Sequence, residues 1–93
     1  MAVAVFVEVP GVTAAQYDAM ITDTWPGGHL PSGALFHLAG PWQGNWRVVD
    51  MWESAEAFDT FVKTILGPAM QKAGVTAQPK IEIWPVHKTA HTH

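Results

Sequence analysis

Segments with strand-like and helix-like apolar periods alternate along this chain, and few folds accommodate the order in which they occur. Residues 2–9 (AVAVFVEV) form a β-branched run closed by Pro10-Gly11, which is typical of a buried strand followed by a turn. The same criteria predict further strands at 34–39, 46–53 and 80–86, and helices beginning at Ala14 and after Ser54. Each helix must return the chain to the same sheet, so this β-α-β-β-α-β order predicts a ferredoxin-like α+β fold with a four-stranded antiparallel sheet.

The two helices have recognisable starts. Thr13 and Gln16 have the spacing of a capping box, and Ser54 is a suitable N-cap for the second helix. Gly67-Pro68 is predicted to break that helix and to start a short helical turn ending at Gly74. The predicted apolar stripes are Tyr17, Met20 and Ile21 on the first helix and Ala55, Phe58, Phe61, Val62, Ile65 and Leu66 on the second.

Glycine and proline mark the connections. Residues 24–33 (TWPGGHLPSG) hold three glycines and two prolines, which predicts a mobile loop without regular structure that is long enough to cover a site. Residues 40–45 (GPWQGN) are predicted to be the connector of an antiparallel hairpin. We expect one domain over residues 1–86 and a flexible tail at 87–93.

The predicted strands are apolar on both faces, although two helices cover only one. Val3, Val5 and Val7 alternate with Ala4 and Phe6, and the strand at 46–53 shows the same two-sided pattern. An uncovered face rich in tryptophan and β-branched residues exceeds the apolar patch that a monomer usually exposes. The sequence therefore predicts a two-fold homodimer that buries this face.

Composition excludes several classes of function. A chain of 93 residues, 48% hydrophobic and with no cysteine, has room for one core and has no thiol chemistry. The formal net charge of -3 argues against nucleic acid or an anionic membrane as a partner. The sequence has neither a membrane-length apolar run nor the pattern of a secretory signal, so we expect a cytoplasmic location. No phosphate-binding loop or nucleophile elbow occurs.

One motif resembles a known family. The segment WRVVDMWESAEAF at residues 46–58 is similar to the strand-to-helix signature of the antibiotic biosynthesis monooxygenase-like proteins, members of the dimeric α+β barrel superfamily. Residues 36–41 (FHLAGP) and 66–69 (LGPA) resemble a subgroup of small actinobacterial proteins, mostly of unassigned function. The resemblance implies a dimeric barrel. It leaves the activity open, because the superfamily includes cofactor-free oxygenases, haem-degrading enzymes, isomerases and proteins with no known reaction.

The resemblance also implies that Trp52 lines a cavity. Strand alternation then places Trp46, Val48 and Asp50 on the same face. On the neighbouring strand Phe36 and Leu38 are the better core pair, which leaves the side chains of Leu35, His37 and Ala39 on the side of Trp52.

His37 and Asp50 are thus the candidate catalytic residues. An imidazole can exchange protons near neutrality and act as a general base, while a neighbouring carboxylate orients the ring. In the alternative interpretation His37 bonds to backbone or water, and Asp50 pairs with Arg47 or Lys63. A register slip of one residue would separate the two side chains.

Aromatic and loop residues are the candidates for ligand binding. The rings of Trp46, Trp52 and Trp84 are suited to enclosing a planar ligand, although core and interface packing would use the same residues. His29 lies in the loop and is placed to swing over a pocket mouth. The predicted ligand-binding set is Trp52, Trp46, Trp84, Phe6, Leu35 and His29. We predict no metal site, because the histidines of the tail lack supporting groups.

Three functions are compatible with these features. The first is a monooxygenase-like enzyme that binds a hydrophobic aromatic or polyketide-like molecule without metal or flavin, although the asparagine, tyrosine, arginine and tryptophan quartet of well-known members is not reproduced. The second is a non-catalytic ligand-binding or stress-associated dimer. The third is a haem protein, which resembles members that use a histidine on the helix after the cavity tryptophan. This chain has no histidine between Ser54 and Gly74.

Overall fold

Four antiparallel strands form one sheet, and the helices lie against one of its faces. The computed structural model describes residues 1–90. The elements are β1 (Val3–Pro10), α1 (Ala14–Thr24), a 3₁₀ turn (Pro26–Gly28), β2 (Ala34–Trp42), β3 (Asn45–Trp52), α2 (Ala55–Phe61), a π-helical turn (Val62–Leu66), α3 (Gly67–Lys72) and β4 (Lys80–Pro85). The strand order is β2-β3-β1-β4. The predicted ferredoxin-like α+β fold is therefore confirmed.

The core lies between the sheet and the helices. Val3, Val5, Val7 and Val9 are buried on the helix-facing side of β1, as the alternation of that strand predicts. Trp52 at the end of β3 is only 1% exposed, and its ring packs against the two phenylalanines of α2, Phe58 and Phe61.

Both helices begin where the capping residues predict. The Gln16 backbone N–H donates to Thr13 Oγ1 at 3.1 Å, and the Thr13 N–H donates back to Gln16 Oε1 at 3.1 Å. Ser54 Oγ accepts from the Ala57 N–H at 3.1 Å. These bonds satisfy backbone donors that the first turn of a helix leaves free.

Gly67-Pro68 does not end the second helix, so that prediction is wrong. The backbone stays helical from α2 through the π-helical turn into α3, and the Gly67 N–H donates to the Val62 carbonyl five residues earlier. A wider turn of this kind accommodates a proline that an unbroken α-helix would not. A β-carbon at Gly67 would lie 3.1 Å from the same carbonyl oxygen, so glycine suits the position.

The hairpin connector is shorter than predicted. β2 runs on to Trp42 and β3 starts at Asn45, which leaves Gln43 and Gly44 as a two-residue turn with φ of 49° and 81°. Positive φ at both positions matches the twist of a tight hairpin. Pro41 is tolerated inside a strand because β2 is at the edge of the sheet.

The loop between α1 and β2 is not wholly irregular, since it contains the 3₁₀ turn. Gly27 and Gly28 follow one another with φ of 75° and 79°, which glycine adopts readily. At the end of the loop Gly33 has a φ of 88°, and a β-carbon there would lie only 2.9 Å from the Ala57 β-carbon. The loop is therefore packed against α2 where it joins β2.

The sheet face without helices, which we call the open face, is apolar. Phe36 and Leu38 lie on it, with Leu38 51% exposed, so the prediction that they form a core pair is wrong for the single chain. The Arg47 guanidinium stacks on the rings of Phe6 and Trp42, with centroid distances of 5.7 and 5.2 Å. Further residues on this face are Ala4, Val49, Met51 and Trp84.

Glu8 lies beside this cluster on the open face. The Asn45 amide donates to Glu8 Oε2 at 2.8 Å, and Arg47 Nε lies 3.4 Å from the same oxygen. The Asn45 hydrogen bond, assisted by Arg47, holds the pKa of Glu8 below its ordinary value.

The C-terminal tail is described only in part. Residues 87–90 are exposed and belong to no helix or strand. The remainder of the predicted flexible tail, including His91 and His93, lies outside the described residues.

Candidate functional site

The pairing of β2 with β3 brings the two candidate catalytic residues together. His37 lies opposite Asp50 in the ladder, and His37 Nδ1 is 2.5 Å from Asp50 Oδ1. Both side chains are on the helix-facing side of the sheet, largely buried at 13% and 10% exposed. Arg47 and Lys63, the alternative partners of Asp50, pair instead with Glu8 and Asp59.

Two further side chains extend this pair into a chain of hydrogen bonds. The Tyr17 hydroxyl on α1 lies 2.6 Å from His37 Nε2. At the other end, the Trp52 indole N–H donates to Asp50 Oδ2 at 3.1 Å. The order is Tyr17, His37, Asp50 and Trp52, and we call it the relay.

The direction of these bonds follows from the groups involved. A carboxylate at Asp50 only accepts, so it takes one bond from the Trp52 indole and one from His37 Nδ1–H. His37 Nε2 is then the acceptor for the hydroxyl proton of Tyr17. Burial is the main cause that raises the pKa of Tyr17 to about 12, and the negative charges of Asp50 and Asp18 contribute in the same direction. The hydroxyl therefore stays protonated.

The relay lies in the wall of an apolar cavity of about 120 Å³ between the sheet and the helices. Most of the lining is aliphatic or aromatic, with residues such as Val7, Met20 and Leu66. Trp25, from the loop after α1, packs edge-on against His37 with ring centroids 4.4 Å apart. Few of the lining residues carry a polar side-chain group, and they are Tyr17, Thr24, Trp25, His37, Trp46, Asp50 and Trp52.

The structure places only part of the predicted ligand-binding set at this cavity. Trp46 and Trp52 line it. Phe6 and Trp84 are on the open face, because each is one position out of phase with the helix-facing residues of its strand. The prediction that Trp84 encloses a ligand together with Trp46 and Trp52 is therefore wrong for a single chain.

Two other predicted contacts are displaced by local backbone geometry. A β-bulge between Ala34 and Phe36 takes Leu35 out of the alternation, and its side chain is exposed rather than beside Trp52. His29 is exposed in the loop, where Trp25, Leu30 and Pro31 line the cavity in its place. The roles of these predicted residues in binding a ligand stay predictions.

Tyr17 is the functional candidate that sequence reasoning missed. Its position in the apolar stripe of α1 indicates a core residue, and no local pattern shows that its hydroxyl meets a histidine 20 residues later. One feature of the sequence could have indicated it: Tyr17 is the only tyrosine in the chain, and it lies on the helix that must cross this face of the sheet.

Neither a metal cluster nor a membrane span is evident in the described part of the chain. Within residues 1–90 no three His, Asp or Glu side chains converge as metal ligands do. No helix among the same residues combines the length and apolar character needed to cross a bilayer.

Of the comparisons with known proteins, only the one with solved structures finds matches, and these share the fold. No family model matches the sequence, and no curated protein matches it. Among solved structures, SnoaB, a cofactor-independent oxygenase from Streptomyces nogalater, is 11% identical, with a TM-score of 0.65 over 95% of this chain and 94% of that one. A candidate antibiotic biosynthesis monooxygenase from Caulobacter crescentus CB15 is 17% identical, with a TM-score of 0.68 over 94% and 91% of the two chains.

A protein of unknown function from Nitrosomonas europaea is similar too. It is 15% identical and has a TM-score of 0.73 over 99% of this chain and 95% of that chain. At such identities the matches show a shared fold. The predicted resemblance to antibiotic biosynthesis monooxygenase-like proteins is thus confirmed at the level of fold, while activity has to be argued from the site.

Proposed function

We propose that this chain is a monooxygenase-like enzyme that oxidises a hydrophobic aromatic or polyketide-like compound without a metal or flavin. The observation that carries the proposal is the relay from Tyr17 through His37 to Asp50 in the wall of an apolar cavity. The fold shared with SnoaB, a cofactor-independent oxygenase, supports the same reaction class.

The relay provides a route for removing a proton from the substrate. An acidic O–H or C–H of a compound in the cavity gives its proton to the Tyr17 oxygen, while the Tyr17 proton passes to His37 Nε2. Tyr17 is neutral before and after this transfer, which suits a hydroxyl whose pKa is about 12. The new positive charge rests on His37, where the Asp50 carboxylate 2.5 Å away stabilises it.

The deprotonated substrate then reacts with dioxygen. The carbanion forms a C–O bond to one oxygen atom, and the resulting peroxide loses water to leave a carbonyl. A methylene group and O₂ thus give a carbonyl and H₂O, and the substrate supplies all four electrons, so no further reductant is needed. Apolar walls favour this step because they keep water away from the carbanion.

The proposal includes a homodimer formed through the open face. Phe36, Leu38, Trp42 and Trp84 are each about half exposed there, and no helix within residues 1–90 covers them. A second copy would bury this face and provide the apolar contact that the single chain lacks.

Oxygen uptake with anthrone tests the proposed activity, because anthrone has an acidic methylene and needs no cofactor to reduce O₂. We expect ¹⁸O₂ to place one labelled atom in the product carbonyl. His37→Ala should lower the rate by about 10²–10⁴-fold, the usual contribution of a general base. Tyr17→Phe should lower it as well, and Asp50→Asn should lower it through lost orientation of the ring.

His87→Ala is the matched control, since His87 is exposed and lies beyond β4. Its rate should equal that of the unmodified chain. Trp52→Phe removes the indole N–H that donates to Asp50 and replaces the indole in the cavity wall with a smaller ring, so it should lower the rate and also weaken affinity for a planar substrate. Equal rates in the unmodified chain and His37→Ala would contradict the proposal.

A non-catalytic ligand-binding dimer is the second candidate. It is favoured by one observation, that both ring nitrogens of His37 are already hydrogen-bonded within the chain. A retained organic ligand in native mass spectrometry, with no oxygen uptake on anthrone, would support this function. The same two bonds fit haem poorly, because they leave no ring nitrogen of His37 for iron.

A further inference from the structure

Trp25 covers His37, and the proposed reaction assigns no role to it. The two rings are perpendicular, with an interplanar angle of 89° and centroids 4.4 Å apart. Trp25 lines the cavity but is only half-buried, so this residue meets both the cavity and solvent. Leu30, from the same loop, also lines the cavity and is 40% exposed. The loop is therefore the part of the cavity wall that separates His37 from solvent.

Few hydrogen bonds hold the body of this loop. The Gly28 N–H donates to the Trp25 carbonyl at 2.9 Å, and the Ala34 N–H donates to the Pro31 carbonyl at 3.0 Å. In the described part of the chain, no hydrogen bond joins residues 26–32 to a residue more than three positions away. Apolar packing against the cavity is thus what keeps this segment closed, and such segments open at low cost in free energy.

Both ends of the loop are fixed, which confines any movement to the part between them. The Trp25 backbone N–H donates to the Ile21 carbonyl of α1 at 2.8 Å. At the other end the Gly33 carbonyl accepts from the Glu53 N–H at 2.8 Å. Between these points Gly27 and Gly28 supply the backbone freedom of a hinge. The parts that can move are residues 26–32 and the side chain of Trp25.

The closed cavity is too small for the larger compounds of the proposed substrate class. Its volume is about 120 Å³, whereas an apolar protein cavity of about 150 Å³ holds benzene. One aromatic ring is comparable in size, and the three fused rings of anthrone need more space. The helices and the sheet contribute buried core residues such as Met20 and Phe58 to the wall. The additional space is therefore gained most easily at the loop.

We propose that Trp25 sets the size of the molecules that the cavity admits. With its ring against His37 the cavity holds one aromatic ring. A ligand of three fused rings displaces the Trp25 ring and occupies the space that it leaves. The size limit is argued from the cavity, the loop and the contact between Trp25 and His37. Only the assignment of fused-ring compounds as substrates rests on the proposed function.

Phenol and anthrone are suitable probes, because both are aromatic and they differ in the number of rings. Calorimetric titration under nitrogen measures binding without oxidation of anthrone. In Trp25→Ala the ratio of anthrone affinity to phenol affinity should rise about three- to tenfold, because anthrone no longer has to break an aromatic contact. A rise of less than threefold, or no detectable anthrone binding in this variant, would overturn the proposal.

Ile81→Ala is the control. It also shortens a side chain that lines the cavity, but β4 and β2 are at opposite edges of the sheet, so Ile81 lies away from His37. The ratio of the two affinities should stay within about twofold of that in the unmodified chain. An equal rise in both variants would mean that cavity volume in general sets the limit, which would reject the role of Trp25.

The unmodified chain provides a second test, which holds even if Trp25→Ala does not fold. Nuclear Overhauser contacts between the Trp25 and His37 rings should be present in the empty chain and with phenol bound. They should be lost with anthrone bound. Contacts that persist in the anthrone complex would show that the ligand fits without displacing Trp25, and would overturn the proposal.

Failure of the proposed activity is a separate outcome. Anthrone can displace Trp25 under nitrogen and still give no labelled product with ¹⁸O₂, which would reject the enzyme and retain the size limit. Conversely, oxygenation of anthrone while the contact between Trp25 and His37 persists would retain the enzyme and reject this role for Trp25.

Discussion

Tyr17 connects a helix to two strands through one hydroxyl group. Its oxygen bonds to His37 on β2, and its ring packs against Trp46 on β3. Desolvation is the main reason that its pKa rises to about 12. The same burial that stabilises the fold thus keeps the hydroxyl in the protonated form that the relay needs.

Titration of Tyr17 provides a prediction at this scale. Since Tyr17 is the only tyrosine, tyrosinate absorption near 295 nm reports on it alone. We expect a midpoint near 12 in the folded protein. In denaturant the midpoint should be about 10, the ordinary value for tyrosine.

This difference has a consequence for stability. Above pH 10 the unfolded chain loses the Tyr17 proton while the folded chain keeps it, so the free energy of unfolding falls from about pH 10 to about pH 12. Below pH 10 this contribution is fully present. Tyr17→Phe should remove this part of the pH dependence, and a Tyr17 midpoint that is the same with and without denaturant would contradict the assignment.

The elements show which parts of the fold local pattern determines. Alternation in the strands, the capping residues of α1 and α2, and the glycines and prolines between them were sufficient to predict the order of elements. The prediction that His37 and Asp50 share a face had a weaker basis, namely the resemblance that placed Trp52 at a cavity and the assumption that Phe36 and Leu38 form a core pair, which is wrong for the single chain. The two-residue hairpin was missed because Gly40-Pro41 has the composition of a turn, and only the edge position of β2 makes it acceptable in a strand. Tyr17 was missed because its contact with His37 depends on how α1 crosses the sheet.

Gly33 provides a prediction for the junction of the loop with β2. Gly33→Ala combines an unfavourable φ with a β-carbon 2.9 Å from that of Ala57. We expect it to lower the free energy of unfolding by about 2 kcal/mol or more. Gly74→Ala is the control, because its φ of 77° is similar but its β-carbon would meet nothing within 4 Å.

Gly74→Ala should therefore cost about 1 kcal/mol, from backbone strain alone. Urea denaturation of the two variants measures the difference. Equal midpoints would mean that the loop end can move away from α2, contrary to the packing seen here.

The molecule as a whole presents one covered and one uncovered face of its sheet. The homodimer proposed to form through this uncovered face, the open face, should have twice the chain mass of 10.1 kDa. Leu38→Glu places a charge among the apolar side chains of that face and should shift the equilibrium to the monomer. Sedimentation at micromolar concentration measures this.

Ile65→Glu is the matched control, because Ile65 is an exposed apolar residue at 37%, but it lies on the π-helical turn rather than on the sheet. It should remain dimeric. A monomer in the unmodified chain would reject the assembly and leave the open face without a second copy to cover it.

The β-bulge at Leu35 gives this architecture a tolerance to changes in length. From His37 to Trp42 the edge strand is held in step with β3 by the tight turn at Gln43 and Gly44, so the position of His37 is set from its C-terminal side. On the N-terminal side of His37, the bulge between Ala34 and Phe36 can accommodate an extra or missing residue without changing the register of the rest of β2. Insertions or deletions in the preceding loop can therefore change the entrance to the cavity while His37 stays opposite Asp50. The length of that loop is thus a means by which related sequences, or designed variants, can change which molecules the cavity admits.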